Sequence, residues 1–329
     1  MKVLITGGTG FIGSRLALRC LQRGDSVTLL GQVNNPAEKE NRRVLEDRGA
    51  KVVLVSVTDR DRVFEAVEGI ECVYHLAAAQ HEANVPDQHF WDVNVTGTKN
   101  ILEGSVQAGV KKFVHGSTIG VYGDALDGQI DETSPFQPNN IYGVTKLEAE
   151  KLVVSFQQKM PVVIIRISET YGPGDFRLLK LFKAIKKGIF FVIGNGKNRH
   201  HLIHIDDLIE GLFLAETVKE AQGKVFVLAG KDVLTTRKMA EVVAAQLRKK
   251  IPRLQIPLFP FLLLASILEG TLRPLGIQPP LHKRRMDFFK KSFSFSQEQS
   301  KAVLGFVPKI AFPEGVADTA KWYEEMGYL

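Results

Sequence analysis

The run Val3-Leu4-Ile5-Thr6-Gly7-Gly8-Thr9-Gly10-Phe11-Ile12-Gly13 passes from apolar residues into a glycine-rich turn, and Leu16, Leu18 and Leu21 follow at helical spacing. A buried strand that turns into a helix through glycines lets backbone come close to a phosphate, and the first N–H groups of the helix are unpaired and face it. Gly7, Gly10 and Gly13, with the N–H groups of Phe11 and Ile12, therefore read as a site for the pyrophosphate of a dinucleotide. Gly24 precedes a second apolar strand, Val27 to Leu30, which is the context that reading requires.

Working outward, strand-like runs at 2–6, 27–30, 52–57, 72–76, 112–116 and 162–167 alternate with helix-like stretches at 11–23, 36–48, 59–68, 92–109 and 141–159. Such alternation predicts an α/β fold, a doubly wound parallel sheet with helices on both faces. After Arg166 the pattern loosens, and Pro and Phe become frequent from 252 onward, so a smaller C-terminal substrate lobe is expected. The expected division is a dinucleotide-binding domain over 1–170 with a returning segment at about 200–220, and a lobe from 171–199 and 221–329. Leu258 to Leu268 is almost wholly apolar, but its eleven residues fall short of the roughly twenty that cross a bilayer. It reads as a core or lid helix of the lobe in preference to an interfacial membrane helix.

With 329 residues, 44% hydrophobic and 24% charged, the chain has the composition of a soluble globular protein. It opens on a core strand without a signal pattern, which points to the cytoplasm. Cys20 and Cys72 read as buried, reduced thiols, and no metal site is suggested. An excess of 43 Lys and Arg over 36 Asp and Glu gives +7 and favours anionic small molecules; nucleic acid is not expected as a partner. The concentrated basic block is His282-Lys283-Arg284-Arg285, with Lys290-Lys291 beyond it, a solvated face or a phosphate or lipid-headgroup contact.

Tyr142 and Lys146 stand four apart at the start of a helix-like stretch, hence on one face, one turn apart. Bringing a phenol from a pKa of about 10 to about 7 needs roughly 4 kcal/mol in favour of the phenolate. An ammonium about 4 Å away at an effective dielectric near 20 supplies energy of that order. The pair suits proton transfer at a hydroxyl or carbonyl oxygen. Gly116-Ser117-Thr118-Ile119-Gly120-Val121-Tyr122-Gly123 directly follows an apolar strand, so a hydroxyl of Ser117 or Thr118 lies at the carboxyl end of the sheet, where such folds bind ligands.

Together with His75-Leu76-Ala77-Ala78, Asn94 to Thr98, Arg166 to Pro173 and Ile203 to Asp207, these motifs resemble the extended short-chain dehydrogenase/reductases, the group of nucleotide-sugar epimerases and 3β-hydroxysteroid dehydrogenase-like enzymes. The resemblance implies a Rossmann domain binding NAD(P), with Tyr142 as acid/base, Lys146 holding the nicotinamide ribose and tuning the tyrosine, and Thr118 taking the hydroxyl role. It implies cofactor contacts from Gly7, Gly10, Phe11, Ile12, Gly13, Gln32, Ser56, Val57, Leu76, Ala77, Ala78, Asn94, Ser117, Tyr142, Lys146, Ile167 and Glu169. Substrate contacts fall to Gln80, Thr118, Glu169 and His200, and a homodimer through 92–109 and 141–159 is implied.

Departures from the family pattern narrow the function. Gly31-Gln32 replace the acidic residue that NAD-specific members place after the second strand; Lys39, Arg42 or Arg43 can reach a 2′-phosphate, which leans the cofactor toward NADP. Ser56 stands where an aspartate often contacts adenine. Ile119-Gly120 replace the acidic pair of sugar-nucleotide dehydratases. Glu169 replaces the asparagine that binds a substrate diphosphate in many epimerases, and His200 replaces an arginine. The first expectation is thus an NAD(P)-dependent oxidoreductase acting on a secondary alcohol or ketone; the alternatives are a nucleotide-sugar 4-epimerase with tightly bound NAD and a non-catalytic NAD(P)- or RNA-binding protein.

Overall fold

A computed structural model describes residues 1–80, 85–124, 128–252, 255–272, 288–289 and 291–329. Six strands, β1 (Lys2–Thr6), β2 (Ser26–Gly31), β3 (Lys51–Leu54), β4 (Cys72–His75), β5 (Lys112–Thr118) and β6 (Val162–Ile167), stand where the apolar runs place them. A seventh, β7 (Val225–Leu228), pairs parallel with β6 and extends the first unit past its expected return at about 220. The sheet order is β7-β6-β5-β4-β1-β2-β3, every pairing parallel, so the strand order reverses beside β1. Ligands of doubly wound sheets bind at that crevice.

The helices are α1 (Phe11–Gln22), α2 (Pro36–Asp47), α3 (Arg60–Val67), α4 (Asp87–Trp91), α5 (Gly97–Gln107), α6 (Ile141–Ser155), α7 (Leu179–Lys186), α8 (Ile205–Thr217), α9 (Thr236–Gln246), α10 (Leu258–Leu272) and α11 (Phe312–Glu325). Alternate strand residues face opposite ways. Val3, Ile5, Leu29 and Val163 pack with Leu16 of α1 and Leu208 of α8, while Leu4, Leu30, Val73 and Val162 pack with Val63 of α3, Ile101 of α5 and Val153 of α6. A separate apolar core gathers Phe182 of α7, Met239 and Val243 of α9, and Val316 and Tyr323 of α11.

Local signals set the helix starts that matter for the site. Asn140 caps α6 by accepting from the Gly143 N–H at 2.9 Å, which puts Tyr142 in its first turn. Asn35 caps α2 at the Glu38 N–H, with Pro36 as the first helical residue. The stretch read as one helix over 92–109 divides: Asp92–Thr96 is a π-helical turn, and α5 begins at Gly97. Such turns often re-aim functional side chains.

One expectation changes and one lies beyond what the structure describes. The apolar stretch at 258 continues to Leu272 as α10, and of its residues only Ala265 is buried, so it is not a core helix. The basic block 282–285 and Lys290 lie outside the described residues; Lys291 sits 3.2 Å from Asp124. Cys20 and Cys72 are free and buried as expected, and burial pushes both thiols up, Cys20 to about 12 and Cys72 well above its ordinary range.

Candidate active site

The opening turn is built for close approach. Gly7 has φ +67°, and a Cβ there would lie 2.9 Å from the Ala77 nitrogen; at Gly13 it would lie 2.2 Å from the Gly7 oxygen. A side chain at either position would push the turn and the loop after β4 apart. Thr6 Oγ1 holds that loop by accepting from the N–H groups of Leu76 and Ala77, each at 3.1 Å. Gly10 caps α1 without a side chain, which leaves the first-turn N–H groups at Phe11, Ile12 and Gly13 facing outward. Phe11 packs near Gly174, whose Cβ position is 3.1 Å from the ring.

Beyond the turn, among the described residues, a pocket of about 290 Å³ is lined by Gln32, Ser56, Thr58, His89, Asp92, Val93 and Thr96. It has the polar rim and size to take an adenine ring at the ends of β2 and β3. Gln32 and Ser56 both line this pocket. Val57 does not line the pocket: its side chain packs under Gly97, at 2.4 Å from a Cβ there, and its carbonyl accepts from Asn100 at 3.0 Å. Glycine bends and a cradle without Cβ atoms, with this pocket at one end, fit a dinucleotide. Arg42 is paired with Glu46 at 2.9 Å and Arg43 with Glu40 and Asp47 at 2.6 and 3.0 Å, all on α2 itself. Two of the three cations counted toward a 2′-phosphate, Arg42 and Arg43, therefore already have partners, while Lys39 is exposed on the same helix.

At the other end, Leu76 and Ile167 meet over Gly116, where a Cβ would lie 2.6 Å from Leu76 Cδ2 and 3.4 Å from Ile167 Cδ1. Thr118 ends β5, its hydroxyl accepting from the Gly120 N–H at 3.0 Å. The Cβ position of Gly120 lies 3.4 Å from Thr118 Oγ1 and 3.9 Å from Tyr142 Cδ1, so the threonine hydroxyl and the tyrosine ring flank one residue. Gly143 lets α6 come this close, since a Cβ there would be 2.6 Å from the Gly120 oxygen.

Lys146 is fully buried, one turn behind Tyr142, and its ammonium donates to the Gly116 carbonyl at 2.7 Å and lies 3.5 Å from His115 Nε2. Burial pulls its pKa from 10.5 to about 8, with the Glu150 carboxylate opposing. Burial and this ammonium hold the His115 ring well below its ordinary range and His75 at about 3, so both are neutral.

Asn94 and Ser117 were expected to touch the cofactor, and their side chains are engaged by protein instead. Asn94, on the π-helical turn, accepts from the Ala79 N–H at 2.8 Å and donates to the Ala79 oxygen at 3.1 Å and to Thr145 at 2.9 Å. It clamps the Leu76-Ala77-Ala78-Ala79-Gln80 loop to α6. The Ser117 hydroxyl donates to Glu150 at 2.5 Å, and Glu150 is the buried partner of Arg166 at 2.8 Å. Arg166 also donates to the Tyr122 hydroxyl at 2.8 Å and the Glu132 oxygen at 3.0 Å. This network, which no local motif announces, ties β5, β6 and α6 together directly under Thr118.

The structure brings Glu169 and His200 together. His200 Nδ1 lies 3.3 Å from Glu169 Oε2, and Nε2 is held by Thr236 at 2.9 Å and Asn198 at 3.1 Å. Burial raises the Glu169 pKa, but the His200 contact, with Arg177 and Lys291 farther off, outweighs it and keeps the carboxyl below its ordinary value. The ring of Phe288 lies 4.7 Å from that of His200. Asn198 and Thr236 were not singled out in the sequence, because neither lies in a motif.

His204, Asp206 and Asp318 bring three donor atoms within 4.8 Å of one another. Arg15 already holds Asp206 at 3.0 Å, and His204 Nδ1 accepts from the Asp206 N–H at 3.3 Å. The imidazole proton therefore sits on Nε2, toward Asp318 at 3.6 Å, and leaves no lone pair for a metal there.

The family model for NAD dependent epimerase/dehydratase proteins matches residues 3–229. The chain belongs to the NAD dependent epimerase/dehydratase family. It is 28% identical to dTDP-glucose 4,6-dehydratase of Streptomyces niveus, over 99% of this chain and 93% of that one. It is 26% identical to 3beta-hydroxysteroid-dehydrogenase/decarboxylase isoform 2 of Arabidopsis thaliana, over 96% of this chain and 61% of that one. The crystal structure of UDP-glucuronic acid 4-epimerase from Bacillus cereus in complex with NAD superposes with a TM-score of 0.80 at 23% identity, covering 99% of each chain. The resemblance to extended short-chain dehydrogenase/reductases, the Rossmann fold and the assignment to NAD(P)-dependent enzymes hold.

Proposed function

We propose that this protein is an oxidoreductase that interconverts a secondary alcohol and its ketone, with NAD as cofactor. The bound dinucleotide supplies the hydride acceptor or donor. The chain's own residues manage the substrate oxygen. Thr118 holds the hydroxyl at the end of β5, and Tyr142 takes its proton on oxidation and returns it on reduction. The Lys146 ammonium, kept one turn behind by the Gly116 carbonyl, favours the phenolate. The observation that carries this reading is the meeting of Thr118 and Tyr142 at Gly120 with a buried ammonium behind them.

NAD is preferred over NADP because the 4-epimerase relative holds NAD and because two of the three cations near a 2′-phosphate, Arg42 and Arg43, are paired within α2. A diphosphate-free substrate is preferred because a carboxylate, Glu169, stands beside His200 where a nucleotide-sugar diphosphate would need a neutral or cationic partner. The dehydratase reaction lacks its acid: Ile119 is packed in an apolar cluster with Val121 and Phe295, and Gly120 has no side chain. The 4-epimerase remains the second reading, supported by the relatives that act on sugar nucleotides.

Purified protein given NAD or NADP, with secondary alcohols, ketones and UDP- or dTDP-sugars in turn, separates the two by the near-ultraviolet absorbance of reduced cofactor. The expected result is cofactor consumed one for one with an alcohol or ketone. Conversion of a sugar nucleotide with none consumed would overturn it.

A further inference from the structure

Helix α10 breaks the burial pattern of the rest of the molecule. Its fifteen residues, Leu258–Leu272, carry one charge, Glu269. Phe259 is 72% exposed, Leu263 51%, Leu264 47% and Ile267 52%. Positions spaced three and four apart share a face, so these four form one apolar stripe. At 1.5 Å per residue the helix is about 22 Å long, against about 30 Å of bilayer hydrocarbon. No helix among the described residues is long and apolar enough to cross a membrane. A helix apolar all round that its own fold leaves half uncovered needs a second apolar phase.

Charge indicates which phase. Between Arg248 and Lys291 the sequence has ten Lys and Arg against Glu269 and Asp287, a net of +8; the whole chain carries +7, so all other residues together sum to −1. Of its described members, Lys291 pairs with Asp124 and the other three precede the helix in sequence. Arg248, Lys249 and Lys250 are exposed just ahead of it. Lys186 and Lys187 are exposed on the turn that carries Ile189, itself 64% exposed. That turn is joined to α10 by the parallel pairing of Val192–Ile193 with Gln255–Ile256 and by the Phe191 ring at 6.1 Å from Phe261. Two copies meeting on this face would bring the exposed cations Lys186, Lys187 and Arg248 to Lys250 of both together, whereas an anionic lipid surface satisfies both the apolar stripe and the cations.

We propose that α10 is an interfacial helix that docks the protein on an anionic phospholipid bilayer. Phe259, Leu263, Leu264 and Ile267 enter the boundary between headgroups and acyl chains, while Arg248 to Lys250 and Lys186-Lys187 meet the headgroup phosphates.

The test is co-sedimentation of the full chain with vesicles of phosphatidylcholine alone and of phosphatidylcholine with phosphatidylglycerol. The protein should pellet with the anionic vesicles, not the zwitterionic ones, and high salt should release it. With each cation near the surface contributing a few-fold, Arg248→Gln/Lys249→Gln/Lys250→Gln should lower the partition coefficient roughly 100-fold. Leu263→Gln/Ile267→Gln should lower it at least roughly tenfold. Both variants should keep wild-type NAD affinity, which shows that they fold. Absence of binding to anionic vesicles, or equal binding to both kinds, would overturn the proposal. So would a wild-type dimer in sedimentation velocity that Leu263→Gln/Ile267→Gln converts to monomer, since the stripe would then belong to a second copy.

Discussion

Replacing Lys146 with methionine should make the protein more stable at neutral pH and less active. The buried ammonium titrates at about 8 instead of 10.5, so its charged form is disfavoured in the fold by ~3 kcal/mol. Its hydrogen bond to the Gly116 carbonyl offsets about 1 kcal/mol of what the variant gains. The net expectation is a gain of about 2 kcal/mol at pH 6 to 7, the window being set by the two pKa values. Below about 8 the lysine is charged in both states and the folded protein carries the whole cost. Between about 8 and 10.5 the unfolded chain still binds a proton that the folded one has released, so wild-type stability rises with pH. Above 10.5 the cost is gone and the neutral amine keeps its hydrogen bond, so the gap should have reversed, with wild type more stable by about 1 kcal/mol. Urea unfolding of both proteins across this range measures the gap, and the difference cancels the other groups that titrate there. A variant less stable than wild type at pH 7, or a gap that does not change with pH, would mean that the buried ammonium does not destabilise the fold.

Removing one member of the buried Glu150–Arg166 pair by Arg166→Met should cost about 3 to 5 kcal/mol, read as a lowered urea midpoint, because Glu150 is left buried without its main partner. Gly13→Ala should lower NAD affinity more than roughly tenfold in a fluorescence titration, since its Cβ would lie 2.2 Å from the Gly7 oxygen and must open the turn. The pH profile of kcat/KM should fall above about pH 8 as Lys146 loses its proton, and that limb should be absent from the residual activity of Lys146→Met.

The first unit was legible because its signals are local. Glycines at a strand–helix turn, alternating strand residues and the capped start of α6 each fix a neighbourhood of a few residues, and Tyr142 and Lys146 follow from helix geometry alone. What escaped depends on contacts between distant segments. Strand β7 is four residues long, so its apolar run is no clearer than a stretch of loop, and it becomes a strand by pairing with β6. Glu150 and Arg166 are ordinary charged residues until α6 is laid against β6, and Ser117 then turns to Glu150, away from the crevice. Asn94 shows the same effect, its position foreseen and its partners, Ala79 and Thr145, not. An apolar helix such as α10 shows only that it avoids water; whether protein or lipid covers it is not written in its periodicity.

In the proposed reaction Tyr142 is the group that moves the substrate proton. Tyr142→Phe removes the phenol oxygen and keeps the ring that flanks Gly120. Turnover by this variant, measured alongside its NAD affinity, should fall by about 10²- to 10⁴-fold while cofactor binding stays within about twofold of wild type. Turnover close to wild type would contradict the account and move the acid/base role to another side chain.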